Sequence, residues 1–472
     1  MFEHENDTIA AVCTGTGGAV SIIRISGPHA LDVVRGMWRG KRMPGPDCPR
    51  VLLYGHIVSE SDGAAGEPAL AVFMPAPHSF TGEDVAEIHC HGGSFAARRA
   101  LRLALHAGAR LAQNGEFTRR AFLNGKLDLT QAEGILDLIN AGSERAGLLA
   151  ERQLNGAVGS LVREIRTEIV RLLSECESRL DFSEEDLDWM PAEKFREQVR
   201  ELRERAAELA LSARAGSLIR DGVSLVIAGP PNAGKSSLLN RMLGYDRAIV
   251  TPIPGTTRDT LEESISIGGI RFRVTDTAGL RDAEQADPVE AMGMERSQQS
   301  LGAADIVLWL LDASAPAELF SAQMEAMDRA RSAVHGKFIP CWNKMDEAPA
   351  LPDASWRGTD SDAASPAPAF EHISAKTGDG LDRLFRRLEE TAWDGLPAAV
   401  QSGAAAVSER HAALLEQAAN RLDAAAESAG RGSWELAGSS LRTAAELIGC
   451  ITGETATPDV LDEIFSRFCI GK

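Results

Sequence analysis

The chain has 472 residues, 44% of them hydrophobic and 25% charged, with a net charge of −19. That length suits two or three domains with their own cores, and the acidic balance argues against a wide phosphate-binding surface. No apolar run approaches the ~18 residues of a membrane span, no secretory signal is visible from Met1 to Asp7, and the seven scattered cysteines lack metal-ligand spacing, so a cytoplasmic protein with reduced thiols, no zinc site and no membrane contact is expected.

Residues 1 to about 120 mix strand-like runs (Val20–Ile25, Val51–Val58, Ala69–Phe73, Val85–Cys90) with a helix over Ser94–His106. Arg98, Arg99, Arg102 and Arg110 form a local basic patch that could meet RNA, or equally a solvated helix face. From Leu127 the pattern turns helical. Val158, Leu161, Val162, Ile165, Ile169, Leu172, Leu173 and Cys176 recur at three- and four-residue spacing, and the pattern runs to about Leu211. It resumes after Ser408 and closes with a helix over Val460–Phe468, introduced by Thr457 as cap and Pro458 in the first turn. Residues 348–369 read as a surface loop and 393–406 as a hinge.

Between the helical stretches lie five short motifs in a fixed order. Ser224–Ala228 is a buried strand and Lys235–Leu243 a helix, and the loop between them, Gly229 to Ser236, has the form GxxxxGKS. Gly229 and Gly234 let backbone N–H groups of Asn232, Ala233 and Gly234 approach a polyphosphate. Lys235 reaches the β- and γ-phosphates, and the hydroxyls of Ser236 and Ser237 follow, with Ser236 on Mg²⁺. Thr257, in the Gly255–Thr257 motif, offers a second Mg²⁺ hydroxyl. Asp276, which ends the strand Phe272–Thr275, would hold Mg²⁺ through water, while Thr277, Ala278 and the Gly279 amide approach the γ-phosphate.

Guanine is read by Asn343 to Asp346 and Ser374 to Lys376. The Asp346 carboxylate can accept two parallel hydrogen bonds from N1–H and the 2-amino group, which adenine cannot supply. Lys344 would lie along the purine, Met345 beside it, and the Ala375 amide would meet O6. The strand Phe338–Cys341 ends where a parallel sheet places its nucleotide pocket. GTP is the expected substrate.

Leu280 stands where Ras-type GTPases carry the water-orienting glutamine. Glu290 is the candidate replacement, and it also reads as a solvated carboxylate at a helix start. No arginine finger is obvious: Arg258 and Arg281 lie in the same segments, Arg281 being the candidate for a catalytic role, and both fit solvated loop positions as well. Asn232 offers a neutral oxygen where a K⁺ ion could bridge the phosphates and supply the missing positive charge.

Beyond these motifs, Ile22 to Gly27, Ser79 to Val85 with Glu87 and His91 to Gly93, Gly115 to Leu129, and the final Phe468 to Lys472 together resemble one family nearly end to end: the tRNA-modifying GTPase family MnmE, also called TrmE. The resemblance implies a homodimer. With a flavin-dependent partner (MnmG/GidA-like) in a hetero-oligomer, it would install a carboxymethylaminomethyl or aminomethyl group at C5 of the wobble uridine of certain tRNAs. It implies Mg²⁺, activation by K⁺, and a 5-formyl- or methylene-tetrahydrofolate donor. Carried over by position, K⁺ falls to Asn232, Thr251, Ile253 and Thr256, within a nucleotide-facing run that includes Pro252 and Pro254. Mg²⁺ falls to Ser236 and Thr257, the water-orienting role to Glu290, and folate to Arg24, Glu87, Lys126 and Lys472. Cys469 matches the family's terminal cysteine and reads either as a nucleophile or as a buried small apolar residue. Thr14 to Gly18 departs from the family's Pro-Gly run, and the segment from Asp282 to Glu290 is slightly long.

The expected fold is an α/β P-loop GTPase domain inserted in an α-helical bundle domain and preceded by an α+β tetrahydrofolate-binding domain. The expected limits are 1–123 for the folate and dimerisation domain, 124–217 for the first helical part, 218–388 for the GTPase domain and 389–472 for the second helical part. A ribosome-assembly GTPase would carry a KH-type module with a GxxG loop and a basic face, and neither is evident after residue 390. A signalling switch would not account for Arg24, Glu87, Lys126 and Lys472 together.

Overall fold

A computed structural model describes residues 7–15, 17–58, 66–182, 188–245, 263–276, 301–348, 370–394 and 406–472. The chain forms two compact units. The first comprises Met1–Ile139, Glu151–Glu208 and Ala413–Lys472; the second comprises Asn140–Ala150 and Leu209–Ala412.

The first unit opens with β1 (Ile9–Val12), β2 (Val20–Ser26), α1 (Ala30–Met37), β3 (Trp38–Gly40), β4 (Leu53–Ile57), β5 (Glu67–Met74), β6 (Val85–His91), α2 (Ser94–His106) and β7 (Arg110–Leu111). The strands make one sheet in the order β3-β4-β5-β6-β2-β1-β7, antiparallel except for β1 and β7. Period-two alternation decides its two faces. Ile23, Ile25, Ala71, Phe73, Ala86 and Ile88 point to one side, where Val33, Val34 and Met37 of α1 and Ala96, Ala100 and Ala104 of α2 cover them. The alternating partners Ile22 and Arg24 on β2 and Glu87 and His89 on β6 therefore share the opposite side, with Arg24 registered against Glu87. The strand expected from Val51 begins at Leu53, whose pairing with Ala71 opens the ladder.

The helical run resolves into α3 (Glu116–Leu123), α4 (Leu129–Asn140), α5 (Glu144–Leu154), α6 (Ala157–Asp181) and α7 (Ala192–Asp221), the last ending well beyond Leu211. The anticipated seam of α6 is buried at Val158, Val162, Ile165, Ile169, Leu172 and Cys176, while Leu161 is exposed and Leu173 half-buried. Its partner is the late helix Trp434–Thr452, whose Ala437, Gly438, Ala444 and Ala445 are all buried. These small residues bring the helices close: a methyl at Gly438 would lie 3.5 Å from Cys176 Cβ.

The second unit holds β8 (Val223–Ala228), α8 (Lys235–Tyr245), β9 (Glu263–Ile267), β10 (Ile270–Asp276), β11 (Ile306–Asp312), α9 (Ala317–Arg331), β12 (Lys337–Asn343), β13 (Glu371–His372) and α10 (Leu381–Trp393). The sheet order is β13-β12-β11-β8-β10-β9, parallel except at β9. Both faces are apolar, as a sheet with helices on each side requires. Leu225, Ile227, Leu308 and Leu310 pack with Leu238 and Met242 of α8 and Leu384 and Leu388 of α10, while Val226, Val307, Trp309 and Leu311 pack with Met327 of α9.

The chain closes with α11 (Glu409–Gly430), α12 (Trp434–Thr452) and α13 (Pro458–Ser466). Pro458 stands in the first turn of α13 as expected, but Thr457 makes no side-chain cap hydrogen bond, and the helix ends at Ser466 rather than Phe468. The Phe465 and Phe468 rings instead meet at a 42° tilt with centroids 5.6 Å apart, and join Leu129, Leu461 and Ile464 in a small core. Among the described residues no helix is long and apolar enough to cross a membrane, and all seven cysteines are free thiols.

Candidate functional site

The carboxyl ends of β8, β11 and β12 lie along one edge of the second unit's sheet, and the loop after β8 is shaped by two glycines. Gly229 has φ +146° and Gly234 φ +92°, and a Cβ would meet Leu310 O at 2.3 Å in the first case and Asn343 Nδ2 at 2.3 Å in the second. No other residue fits either position. Asn232 also adopts positive φ, 63°. Lys235 Nζ donates across the loop to Gly229 O at 2.9 Å and Pro230 O at 3.0 Å, a cation seated over the loop's own carbonyls. Such a cradle of amides at a helix start, with an ammonium above it, suits a polyphosphate.

Asn343 ties this loop to the base-reading loops. It is 1% exposed, donates from Nδ2 to Ala233 O at 2.8 Å, and accepts at Oδ1 from the Ala375 amide at 2.9 Å. That amide, the expected partner of a purine O6, is engaged by Asn343 in the structure. The Ser374 hydroxyl donates to Asp346 Oδ1 at 2.6 Å and accepts from Thr377 N at 3.1 Å, which fixes the carboxylate's orientation. The Ser374 hydrogen bond also holds the Asp346 carboxyl below its usual range, so the side chain is a charged acceptor at neutral pH. Lys376 lies 3.8 Å from Asp346 and pairs more closely with Glu347 at 2.9 Å. Met345 N donates to Ile373 O at 3.2 Å.

Sequence reasoning passed over Asp312, at the end of β11, which pairs with Lys344 Nζ at 2.6 Å. Its signal was a carboxylate closing an unbroken apolar run, Ile306 to Leu311. Ser236 and Ser237 begin α8 as expected. Asp276 ends β10 in parallel register with Ile227. Thr251, Pro252, Ile253, Pro254, Gly255, Thr256, Thr257, Thr277, Ala278, Gly279, Arg281 and Glu290 lie outside the described residues.

The first unit gathers a second set. Arg24 Nε donates to Glu87 Oε1 at 2.8 Å, and His89 Nε2 lies 3.2 Å from Glu87 Oε2. Burial would raise the Glu87 carboxyl, but the His89 hydrogen bond and the Arg24 charge outweigh it and hold it below the usual carboxylate range. A carboxylate has about four acceptor positions, so Glu87 keeps capacity for a ligand's N–H edge. The Arg24 guanidinium stands 5.1 Å from the Phe80 ring and 5.8 Å from that of Phe117. The chain's end arrives at the same place: Phe117 N donates to Lys472 O at 3.2 Å, Gly115 N to Cys469 O at 3.4 Å, and a methyl at Gly471 would lie 2.3 Å from Val12 O. Arg24, Glu87 and Lys472 all act electrostatically on Cys13, whose thiol is pushed up chiefly by burial. Lys126 Nζ donates to Pro77 O at 3.1 Å, on the loop that carries Phe80. Cys469 is exposed, which overturns its reading as a buried apolar residue.

Of the four arginines read as a patch or a solvated helix face, Arg98, Arg99 and Arg102 share α2 and only Arg110 departs. Arg98 and Arg102 are exposed on α2, but Arg110 belongs to β7 and is bound to Asp7 at 2.7 Å and Glu116 at 2.7 Å.

A GxxxxGKS loop stapled to an Asn-Lys-Met-Asp loop and a Ser-Ala-Lys loop, at the carboxyl edge of a doubly wound, mostly parallel sheet, defines a P-loop GTPase domain. The family model described as the GTP-binding protein TrmE N-terminus matches residues 8–126, and that of the MnmE helical domain matches residues 129–469. The chain is 43% identical to the tRNA modification GTPase MnmE of Chloroflexus aurantiacus over 99% of this chain and 100% of that protein. The protein of the same name from Symbiobacterium thermophilum is 42% identical over 99% of each, and that from Akkermansia muciniphila 40% identical over 98% of this chain and 99% of that one. The chain belongs to the MnmE family of tRNA modification GTPases.

Proposed function

We propose that this protein hydrolyses GTP in the service of tRNA modification, acting with a flavin-dependent partner at C5 of the wobble uridine and drawing one carbon from a reduced folate. The observation that carries the GTPase half is the Asn343 staple: one buried amide bonds both the phosphate loop and the Ser374–Lys376 loop. A base and a triphosphate are therefore gripped by a single connected frame.

In this reading Lys235 and the loop amides hold the β- and γ-phosphates, and Asp346 selects guanine. Ser236 and Thr257 would hold Mg²⁺, with Asp276 behind a water. Asn232, Thr251, Ile253 and Thr256 would hold K⁺. The two cations would supply the charge that stabilises the transferring phosphoryl group, the work an arginine finger does elsewhere. Glu290 orients the attacking water, and Arg281 is the candidate for further charge stabilisation. GTP turnover is expected to be much faster in K⁺ than in Na⁺, and Glu290→Ala to lower turnover by about 10²-fold or more with GTP affinity retained. Equal rates in the two salts would remove the cation role, and lost affinity would make Glu290 structural.

The Arg24–Glu87 cluster suits a pterin: Glu87 accepts from its N–H edge, while Arg24, Lys126 and Lys472 suit carbonyl and carboxylate oxygens. Cys469, exposed within the terminal segment, is available as a nucleophile. With a net charge of −19, most of the surface that meets tRNA phosphates belongs to the partner. The GTPase domain is read as an insertion between two parts of one helical domain, with limits 124–217, 218–388 and 389–472, behind a folate and dimerisation domain at 1–123. The protein is read as a cytoplasmic homodimer. Mass spectrometry of wobble nucleosides tests the whole: cells lacking the protein should lose the C5 substituent, and an unchanged profile would contradict the assignment.

A further inference from the structure

β11 runs into the edge where the nucleotide loops gather, and its last residue is held by more bonds than a strand end needs. Gln323 of α9 is buried, accepts from Asp312 N at 2.8 Å and donates to Asp312 O at 3.2 Å. The carboxylate divides its oxygens. Oδ1 accepts from Ser314 N at 2.9 Å and Ser314 Oγ at 2.6 Å, and Oδ2 accepts from Lys344 Nζ at 2.6 Å. Ala313 N adds a bond to Asn343 O at 3.0 Å, so the segment is tied to the residue just before Lys344.

Lys344 itself is unusual. Its φ is +62°, a left-handed conformation that a lysine adopts only when its surroundings fix it. A lysine stem is rich in rotamers, and left alone it would sample many positions over a base pocket. A charge-assisted bond to a carboxylate that cannot itself move removes most of that freedom before a ligand arrives.

We infer that Asp312, held by Gln323 and Ser314, is a positioning residue for purine binding: it pins Lys344 as the preformed surface on which the base lies. This rests on the guanine-nucleotide reading of the site. It divides the labour at the base into two parts. Asp346 reads the exocyclic pattern of the ring, whereas the Asp312–Lys344 pair sets affinity for any purine presented in the same pose. Burial would raise the Asp312 carboxyl, but the Lys344 and Ser314 hydrogen bonds outweigh it and keep it ionised, so the pin operates throughout the neutral range.

The test uses the full chain with fluorescent GDP and its inosine counterpart. Asp312→Asn should raise the dissociation constants of both by a similar factor of about ten, the worth of one charge-assisted hydrogen bond. Asp346→Asn should instead narrow the gap between the two nucleotides. Misfolding of the loop is separated from loss of the pin by a double-mutant cycle. If Asp312 acts through Lys344, the double variant Asp312→Asn with Lys344→Met binds no more weakly than Lys344→Met alone. Unchanged affinity in Asp312→Asn, or additive losses in the double variant, would overturn the inference while leaving the guanine site standing. Failure of the unmodified protein to bind GDP would instead remove the reading on which it rests.

Discussion

Gly234→Ala is expected to weaken guanine-nucleotide binding by about 100- to 1,000-fold while the protein still folds. Three costs coincide at that one atom. The residue sits at φ +92°, and a Cβ there would lie 2.3 Å from Asn343 Nδ2. The left-handed backbone costs an alanine about 1–2 kcal/mol, and relieving the overlap costs about 1–3 kcal/mol. The natural relief is for Asn343 to swing away, which forfeits its 2.8 Å bond to Ala233 O and its 2.9 Å bond from Ala375 N. The phosphate loop and the base loops would then no longer be held in one frame. The free variant relieves the strain by rearranging and must restore the strained geometry to bind, so at about 1.4 kcal/mol per decade these terms reach two to three orders of magnitude in affinity. Titration with fluorescent GDP measures the loss, and affinity within threefold of the unmodified protein would show that the staple is dispensable.

The second large effect concerns stability of the first unit. Arg120 on α3 has a side chain only 8% exposed, and it holds Asp7 Oδ1 at 2.5 Å, Glu116 Oε1 at 3.2 Å and Glu83 Oε2 at 3.3 Å. Arg110 supplies the other cation, to Asp7 and Glu116, and Ser26 donates to Glu83 at 2.7 Å. Arg120→Ala would leave three carboxylates facing one another around one remaining arginine. Breaking a buried pair in this way costs about 3–5 kcal/mol.

The pH dependence has a definite sign. Burial would raise Asp7 and Glu116, but hydrogen bonds from Arg110 and Arg120 to Asp7, and from Arg110 and the Gln113 amide to Glu116, hold both below their ordinary values. Groups depressed in the folded state bind fewer protons there than when unfolded, so their contribution is complete above the unfolded values, about 4. It is lost as pH falls through the lower folded values. The unmodified protein should therefore lose stability in acid, and the deficit of Arg120→Ala should be greatest at neutral pH and shrink below about pH 4 as the carboxylates neutralise. Denaturant melts at pH 7 and pH 3.5 measure this, and a deficit independent of pH would assign the loss to packing instead.

How much of this was legible in the sequence varies with the range of the interaction. The Ser224–Ala228 strand and the helix beginning at Lys235 were readable because a buried strand, a glycine loop and an amphipathic helix are local patterns, and the structure differs only at the ends, Val223 and Tyr245. The central strand Ile306–Asp312 was missed for a physical reason. It is buried on both faces between β8 and β12, so it shows a continuous apolar run instead of alternation. Losing that strand hid Asp312 as well. His89 was passed over because its worth depends on facing Glu87 across two residues of one strand, a pairing that names no motif. Arg110 was grouped with helix arginines by nearness in sequence, whereas strand pairing turns it toward Asp7 and Glu116. The chain's last residues were conspicuous in sequence, but nothing local says that Gly471 packs against Val12.

The central claim is that Asp346, oriented by Ser374, selects guanine within a frame that also grips a triphosphate. Its most direct test is the affinity of the purified full chain for GTP and ATP side by side, with magnesium supplied. GTP should bind tightly and ATP about 10³-fold or more weakly, since adenine offers Asp346 neither of guanine's two donors. Equal affinities, or none for either nucleotide, would contradict it.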